Sequence, residues 1–273
     1  MSLIEKQEWN KLMSDFDENA VDETIEEIRV KSFVEDEAIS APVDEKPFRY
    51  LFADDIDVGK FLNSIEGELR TVYDVGASTG AWSAYMTEAF PNATFHLFEP
   101  LTGHVQEYEY SDQYLKLLKN YEFHRIAVGD RNGELRMQMV TEANPYIATG
   151  LELGEDDKST IAVPIVCLDS YVRENNLPIP DLLKVDVQGL EPEVLAGAEK
   201  LLPKIKFIML ECWMFRGYNG KTQVILDTMN KMREYGFEAI DMCGDIRQDD
   251  GRLVNVDIWF INKKYSEEIG FEM

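Results

Sequence analysis

The chain has 273 residues, 52 of them acidic against 27 basic, for a formal net charge of −25. That length suits one large domain or a domain with an extension. So acidic a chain has no basic stripe to displace counterions from a nucleic acid, and it is repelled by an anionic membrane.

No apolar run approaches the roughly 18–20 residues of a membrane span. Glu5, Lys6 and Glu8 interrupt the apolar stretch that a signal peptide carries. The three cysteines, Cys167, Cys212 and Cys243, are far apart and show neither disulfide-set nor metal spacing, so a cytoplasmic location is expected.

Residues 1–68 hold 19 acidic and 7 basic residues and read as an acidic helical extension with a linker, ahead of one domain over 69–273. Trp9, Leu12, Met13 and Phe16, then Val21, Ile25 and Ile28, fall at helical spacing and predict two short amphipathic helices. They read as a solvated packing extension, with a lid or a homodimer contact as the other readings. Pro42 and Pro47 mark the linker, and Phe48, Tyr50 and Phe52 are expected to pack it onto the core. Val58, Phe61, Leu62 and Ile65 predict a helix leading into the first strand.

Residues 71–83, Thr-Val-Tyr-Asp-Val-Gly-Ala-Ser-Thr-Gly-Ala-Trp-Ser, organise the rest. An apolar strand runs through a glycine turn into a helix predicted over 81–90, leaving backbone N–H groups free to meet a ligand. Gly76 and Gly80 let the backbone approach it closely. A phosphate loop would end in Gly-Lys-Ser/Thr, but Gly80 is followed by Ala81 and Trp82. The dinucleotide pattern Gly-x-Gly-x-x-Gly is met poorly by Gly76, Ser78 and Ala81. Asp74 at the strand end repels pyrophosphate but suits the ammonium of an amino-acid-like ligand, such as the methionine part of S-adenosylmethionine.

A second strand over 94–98 ends in Glu99-Pro100, where a carboxylate 23 residues beyond Gly76 can accept both hydroxyls of a ribose. Residues 112–120 predict a helix and 122–128 a third strand ending in Gly129-Asp130, with Asp130 a candidate partner of an adenine amino group. Strands follow at 134–140 and 160–167 around a polar loop at 144–157, in which Asn144-Pro145-Tyr146 is read as a turn. The strand over 181–187 carries Lys184 and Asp186 in an apolar run, with Gln188 next in the alternation. Pro192 opens a helix that buries Val194, Ala198 and Leu201. Another apolar strand, 205–212, carries Glu211 near its end. A helix at 222–235 and strands at 237–242 and 257–261, separated by a long loop at 244–255, close the chain as an antiparallel pair. Alternation of this kind predicts an α/β sheet with helices on both faces and ligands beyond the carboxyl ends of its strands.

Asp74-Val75-Gly76-Ala77, Phe98-Glu99-Pro100, Ala127-Val128-Gly129, Leu168-Asp169, the stretch Lys184 to Glu191 and Val194-Leu195-x-Gly197-Ala198 resemble the FkbM-type methyltransferase family over roughly residues 70–215. The resemblance implies a Rossmann-like class I methyltransferase fold, with a mostly parallel seven-stranded sheet and a C-terminal antiparallel hairpin. It also implies S-adenosylmethionine as cofactor and a hydroxyl acceptor on a small molecule, saccharide or glycolipid. Asp74, Gly76, Ala77, Ser78, Gly80, Glu99, Pro100 and Asp130 are then the expected cofactor-binding residues. Gln188 stands where the family often has Glu, and Trp213 where a His is expected; if that His is the base in relatives, this chain uses another group.

Methyl transfer to a hydroxyl needs alignment and one proton acceptor. Asp186 is the first candidate, with Glu191 and Glu211 the others; His104 is the histidine to test. Asp186 and Glu211 lack ligand spacing, so no metal is assigned. Two other readings stay open: an NAD-dependent oxidoreductase, and a non-catalytic S-adenosylmethionine-binding or assembly protein.

Overall fold

A computed structural model describes residues 52–102, 111–141, 144–151, 160–218, 220–248 and 250–271. The expected helices before residue 48, the linker, Phe48, Tyr50, His104 and the loop at 152–157 lie outside the described residues.

The large sheet has seven strands: β1 (Thr71–Val75), β2 (Thr94–Phe98), β3 (Tyr121–His124), β8 (Leu182–Val185), β9 (Phe207–Trp213), β10 (Phe237–Arg247) and β11 (Leu253–Asn262). Their spatial order is β10-β11-β9-β8-β1-β2-β3. The five strands β9, β8, β1, β2 and β3 are parallel, and β11 and then β10 add antiparallel, giving the expected hairpin. The chain moves outward from β1 to β3 on one side and from β8 to β9 on the other. The order therefore reverses between β1 and β8, where such sheets open a crevice.

Both faces of the sheet are covered, so β1, β8 and β9 are buried along their whole length. Helix α1 (Ala53–Glu66) packs on one face, with Ile56, Val58 and Leu62 among Val72, Phe95, Leu182 and Trp259. That helix thus belongs with the core, although the sequence boundary at 68 groups it with the extension. The short helix α2 (Ala81–Met86) covers the same face. The opposite face buries Tyr73, Val75, Phe98, Val185 and Ile208 under α4 (Leu168–Asn175) and α5 (Glu191–Ala196).

A second sheet, order β4-β7-β5-β6, is built from β4 (Ala127–Gly129), β5 (Gly133–Thr141), β6 (Asn144–Thr149) and β7 (Thr160–Cys167). The two sheets correct three expectations. The single strand expected at 122–128 is two, β3 and β4, which belong to different sheets. Asn144-Pro145-Tyr146 opens strand β6 and is not a turn, because β6 pairs antiparallel with β5. The loop expected at 244–255 is mostly strand, since β10 and β11 stay paired to Arg247 and Leu253. Helix α3 (Ser111–Leu115) and α6 (Ile225–Glu234) are shorter than predicted, and α7 (Lys263–Ile269) was not predicted.

The motif Val194-Leu195-x-Gly197-Ala198 has a packing cause. A Cβ on Gly197 would lie 1.9 Å from the carbonyl oxygen of Gly129, so α5 approaches β4 only through glycine. Asp169 fastens the same corner, its carboxylate accepting from the Lys200 and Leu201 N–H groups.

Candidate active site

A cleft of about 640 Å³, open to solvent, lies at the switch between β1 and β8. Gly76, Ser78, Glu99, Asp186 and Gln188 supply its polar groups, with Pro100 beside Glu99. Its apolar wall is made by Leu101, Val128, Leu135, Met137 and Ala148 among others, several of them from the second sheet.

The turn after β1 is shaped by positive φ angles at Gly76 (80°), Ser78 (50°) and Gly80 (82°). A Cβ on Gly76 would come within 1.8 Å of the Asp186 carbonyl oxygen. Only glycine lets the β1 turn and the end of β8 approach this closely.

Glu99 is 5 % exposed, and its two oxygens accept from the backbone N–H groups of Ser78 (3.0 Å) and Leu101 (2.8 Å). An ionised carboxylate offers about four acceptor positions, so two stay free for a ligand's hydroxyls. Burial outweighs those hydrogen bonds and pushes the Glu99 carboxyl up to about 7.

Asp186 lines the cleft with its side chain 34 % exposed. Gln188 Nε2 donates to its Oδ1 at 2.9 Å, and Lys184 Nζ lies 3.7 Å from its Oδ2. The Tyr218 hydroxyl donates to Gln188 Oε1, and the Tyr218 ring sits 5.1 Å from that of Trp213.

Several expected site residues do not reach the cleft. Along β1 the side chains alternate, which turns Asp74 toward α2 and away from the opening. Its carboxylate is fully buried, accepting from Ser83 Oγ at 2.7 Å and pairing with Lys184 Nζ at 2.8 Å, so it is not placed to receive a ligand's ammonium. Ala77 is buried, with its N–H bonded to the Phe98 carbonyl, and Gly80 faces Leu97 and Leu115. Asp130 is exposed at the surface, paired with Arg131 at 3.0 Å, outside the lining.

Glu191 and Glu211 lie near Asp186 but do not line the cleft. Glu191 Oε1 accepts from the N–H groups of Val187 (3.1 Å) and Gly189 (3.0 Å) and so holds the turn that carries Gln188. Burial, with Asp186 nearby, pushes its carboxyl up to about 7. Glu211 accepts from Trp213 Nε1 at 3.1 Å and from Asn255 Nδ2, and burial beside Asp186, Glu191 and Asp257 raises its pKa well above the usual range. The indole of Trp213 is a donor only, so it cannot replace a histidine base.

The apolar wall was missed by the sequence reading. Its residues come from strands that pair only in the folded chain, and a short apolar strand carries no mark of which cavity it lines.

Residues 74–239 match the family described as Methyltransferase FkbM domain. The chain belongs to the FkbM methyltransferase family. It is therefore an S-adenosylmethionine-dependent methyltransferase. It is 25 % identical over 185 residues to the 2-O-methyltransferase NoeI of Sinorhizobium fredii (strain NBRC 101917 / NGR234), covering 62 % of this chain and 75 % of that one. It is 26 % identical over 211 residues to the 31-O-demethyl-FK506 methyltransferase FkbM of Streptomyces tacrolimicus, covering 63 % of this chain and 75 % of the relative. Among solved structures, the N-methyltransferase NodS of Bradyrhizobium japonicum WM9, in complex with S-adenosylhomocysteine, superposes at a TM-score of 0.43 with 9 % identity, over 81 % of this chain and 90 % of that one.

The FkbM cofactor fits the residues present: a glycine turn that a Cβ would close, a buried carboxylate with acceptor positions to spare, and an apolar wall beside it. Among the described residues no helix is long and apolar enough to cross a membrane.

Proposed function

We propose that this FkbM-family chain methylates a hydroxyl of a small-molecule or saccharide acceptor, with Asp186 as the proton acceptor. The observation that carries the reading is the position of Asp186: of the three candidate carboxylates, it alone both lines the cleft and keeps a third of its side chain exposed. The relatives' names, a 2-O-methyltransferase and a methyltransferase of 31-O-demethyl-FK506, support an oxygen acceptor.

S-adenosylmethionine supplies an electrophilic methyl group on a sulfonium centre. Glu99 would accept hydrogen bonds from its ribose hydroxyls, the Gly76 turn would admit it, and the wall of Leu101, Val128 and Leu135 would take the base. Asp186 removes the acceptor's proton, held in place by Gln188 Nε2 and by the charge of Lys184. Glu191 acts as a positioning residue, fixing the Val187–Gly189 turn through two backbone N–H groups. Glu211 orients Trp213 and Asn255.

The net charge of −25 gives no support to a nucleic-acid acceptor, and the three free cysteines are in keeping with a cytoplasmic enzyme. The methyltransferase domain is taken to begin near Pro47, ahead of α1, with residues 1–46 as its extension.

The test is calorimetric titration with S-adenosylhomocysteine and with NAD. Incubation with S-adenosylmethionine and panels of hydroxylated and of amine-bearing saccharides and metabolites follows, read by mass spectrometry. Binding of S-adenosylhomocysteine alone and a methyl gained on oxygen are expected. Methylation confined to amines would overturn the acceptor assignment, and binding of NAD instead would overturn the cofactor.

A further inference from the structure

At the edge of the large sheet, opposite the hairpin, three side chains outside the methyltransferase cleft converge. His96 on β2 and Glu122 on β3 are register partners, as are Phe98 and His124 two positions further along. The period of two places His96, Glu122 and His124 on one face. His96 Nδ1 lies 3.2 Å from His124 Nε2 and 3.6 Å from Glu122 Oε2, and one ligand atom from each residue falls within 4.8 Å of the others.

We propose that His96, His124 and Glu122 form a binding site for a divalent transition ion of the zinc type, clipping edge strand β3 to β2. Ligands about 2.0–2.2 Å from a tetrahedral zinc stand about 3.3 Å apart, which is close to the separations from His96 Nδ1 to the other two atoms. Two imidazoles and one carboxylate are a donor set that zinc accepts, with a fourth position left for water. The outer shell is present as well. Tyr171 Oη lies 3.1 Å from His124 Nδ1; in the tautomer that donates Nδ1–H to the phenol, Nε2 is bare and can face an ion. Phe98 stacks on the His124 ring at 4.5 Å and fixes its plane.

A plain hydrogen bond between the two rings accounts for His96 and His124 but gives the Glu122 carboxylate, 3.6 Å from the same Nδ1, no part in it. An ion takes all three groups at once; His96 Nε2, buried with no partner, stays outside either arrangement. Glu122, whose side chain is 57 % exposed, gives the ion a path from solvent.

The test uses the full chain stripped with a chelator and titrated with Zn²⁺ against a competing chromophoric chelator. Co²⁺ substitution supplies a second readout, through the visible absorption of a low-coordinate site. One ion per chain is expected, with a melting temperature that climbs as free Zn²⁺ rises. Glu122→Gln and His124→Asn should each weaken binding at least tenfold and abolish the Co²⁺ spectrum. Tyr171→Phe, which removes only the outer partner, should cost about 10–100-fold in affinity. Glu122 is exposed, so Glu122→Gln keeps the test valid if His124→Asn does not fold. Failure of the parent chain to bind Zn²⁺, or equal affinity in parent and Glu122→Gln, would overturn the proposal; the second result would assign the ion to the acidic surface.

Discussion

Lys184 and Asp74 are cross-strand partners in register between β8 and β1, their charged atoms 2.8 Å apart and their side chains 5 % and 0 % exposed. Ser83 Oγ completes the carboxylate, and Lys184 lies 5.5 Å from the centroid of the Trp82 ring. Burial by itself would lower the Lys184 pKa, but Asp74 and Asp186 together raise it, so the ammonium stays charged. The pair is a fixed post behind the cleft: one end of it locks β1, and the other reaches toward Asp186.

Removing one half of this pair strands a buried charge. Lys184→Met should destabilise the fold by about 3–5 kcal/mol in urea denaturation. The double variant Lys184→Met/Asp74→Leu should recover part of that loss, because no unpaired charge remains. A single variant as stable as the parent would show that the pair is solvated.

Gly76→Ala adds a methyl where the Asp186 carbonyl stands 1.8 Å away, at a φ of 80°. The variant should lose more than about 1 kcal/mol of stability. Its affinity for S-adenosylhomocysteine should fall at least tenfold. Parent-like melting and binding would mean that the turn and the β8 end separate freely.

Burial raises the Glu99 carboxyl from the usual value of about 4.5 to about 7 in the fold. The folded chain holds that proton more tightly, so its contribution to stability is fully present below about 4.5 and is lost as pH rises through about 7. A shift of this size is worth on the order of 3 kcal/mol. Glu99→Gln should flatten the slope of stability against pH over that interval. Cofactor binding runs the other way, because ribose hydroxyls donate to the ionised form. Affinity for S-adenosylhomocysteine should climb up to about pH 7 and then level off, and Glu99→Gln should remove that dependence and weaken binding by about 1–3 kcal/mol. Calorimetry across pH 5–8 checks both; an unchanged affinity in the variant would remove Glu99 from the ribose.

Asp186→Asn keeps the shape of the side chain and removes the basic oxygen. Turnover should fall by about 10²–10⁴-fold with little change in cofactor affinity. Full activity would pass the role to Glu191 or Glu211. Weakened cofactor binding with parent-like turnover at saturation would make Asp186 a cofactor ligand.

A chain starting near Pro47 should fold and bind S-adenosylhomocysteine as the parent does, since every residue assigned to the cofactor lies beyond residue 70. A truncated chain that folds but does not bind would make the extension a lid.

Much of the fold was legible because its signals are local. Buried parallel strands are continuous apolar runs, as in 207–213, and glycine turns interrupt them. Glu99 and Gly76 were singled out because a ribose and a close backbone approach call for those residue types at those offsets, and both line the cleft. The readings that failed depended on side-chain direction or on distant pairing. Asp130 ends β4 as expected, yet it is exposed on the surface, and no local pattern records that.

The sequence by itself determined the α/β alternation, the glycine turn, the acid after β2 and the family. Each of these is written in residues adjacent along the chain. Only the tertiary structure decided that Asp74 belongs to Lys184 and not to a ligand, because pleat alternation and strand register bring together residues 110 positions apart. It also split one predicted strand between two sheets, and so built the apolar wall of the cleft. It likewise drew His96, Glu122 and His124 to one point, since ligand atoms meet through the register of β2 on β3, which spacing along a single chain does not contain.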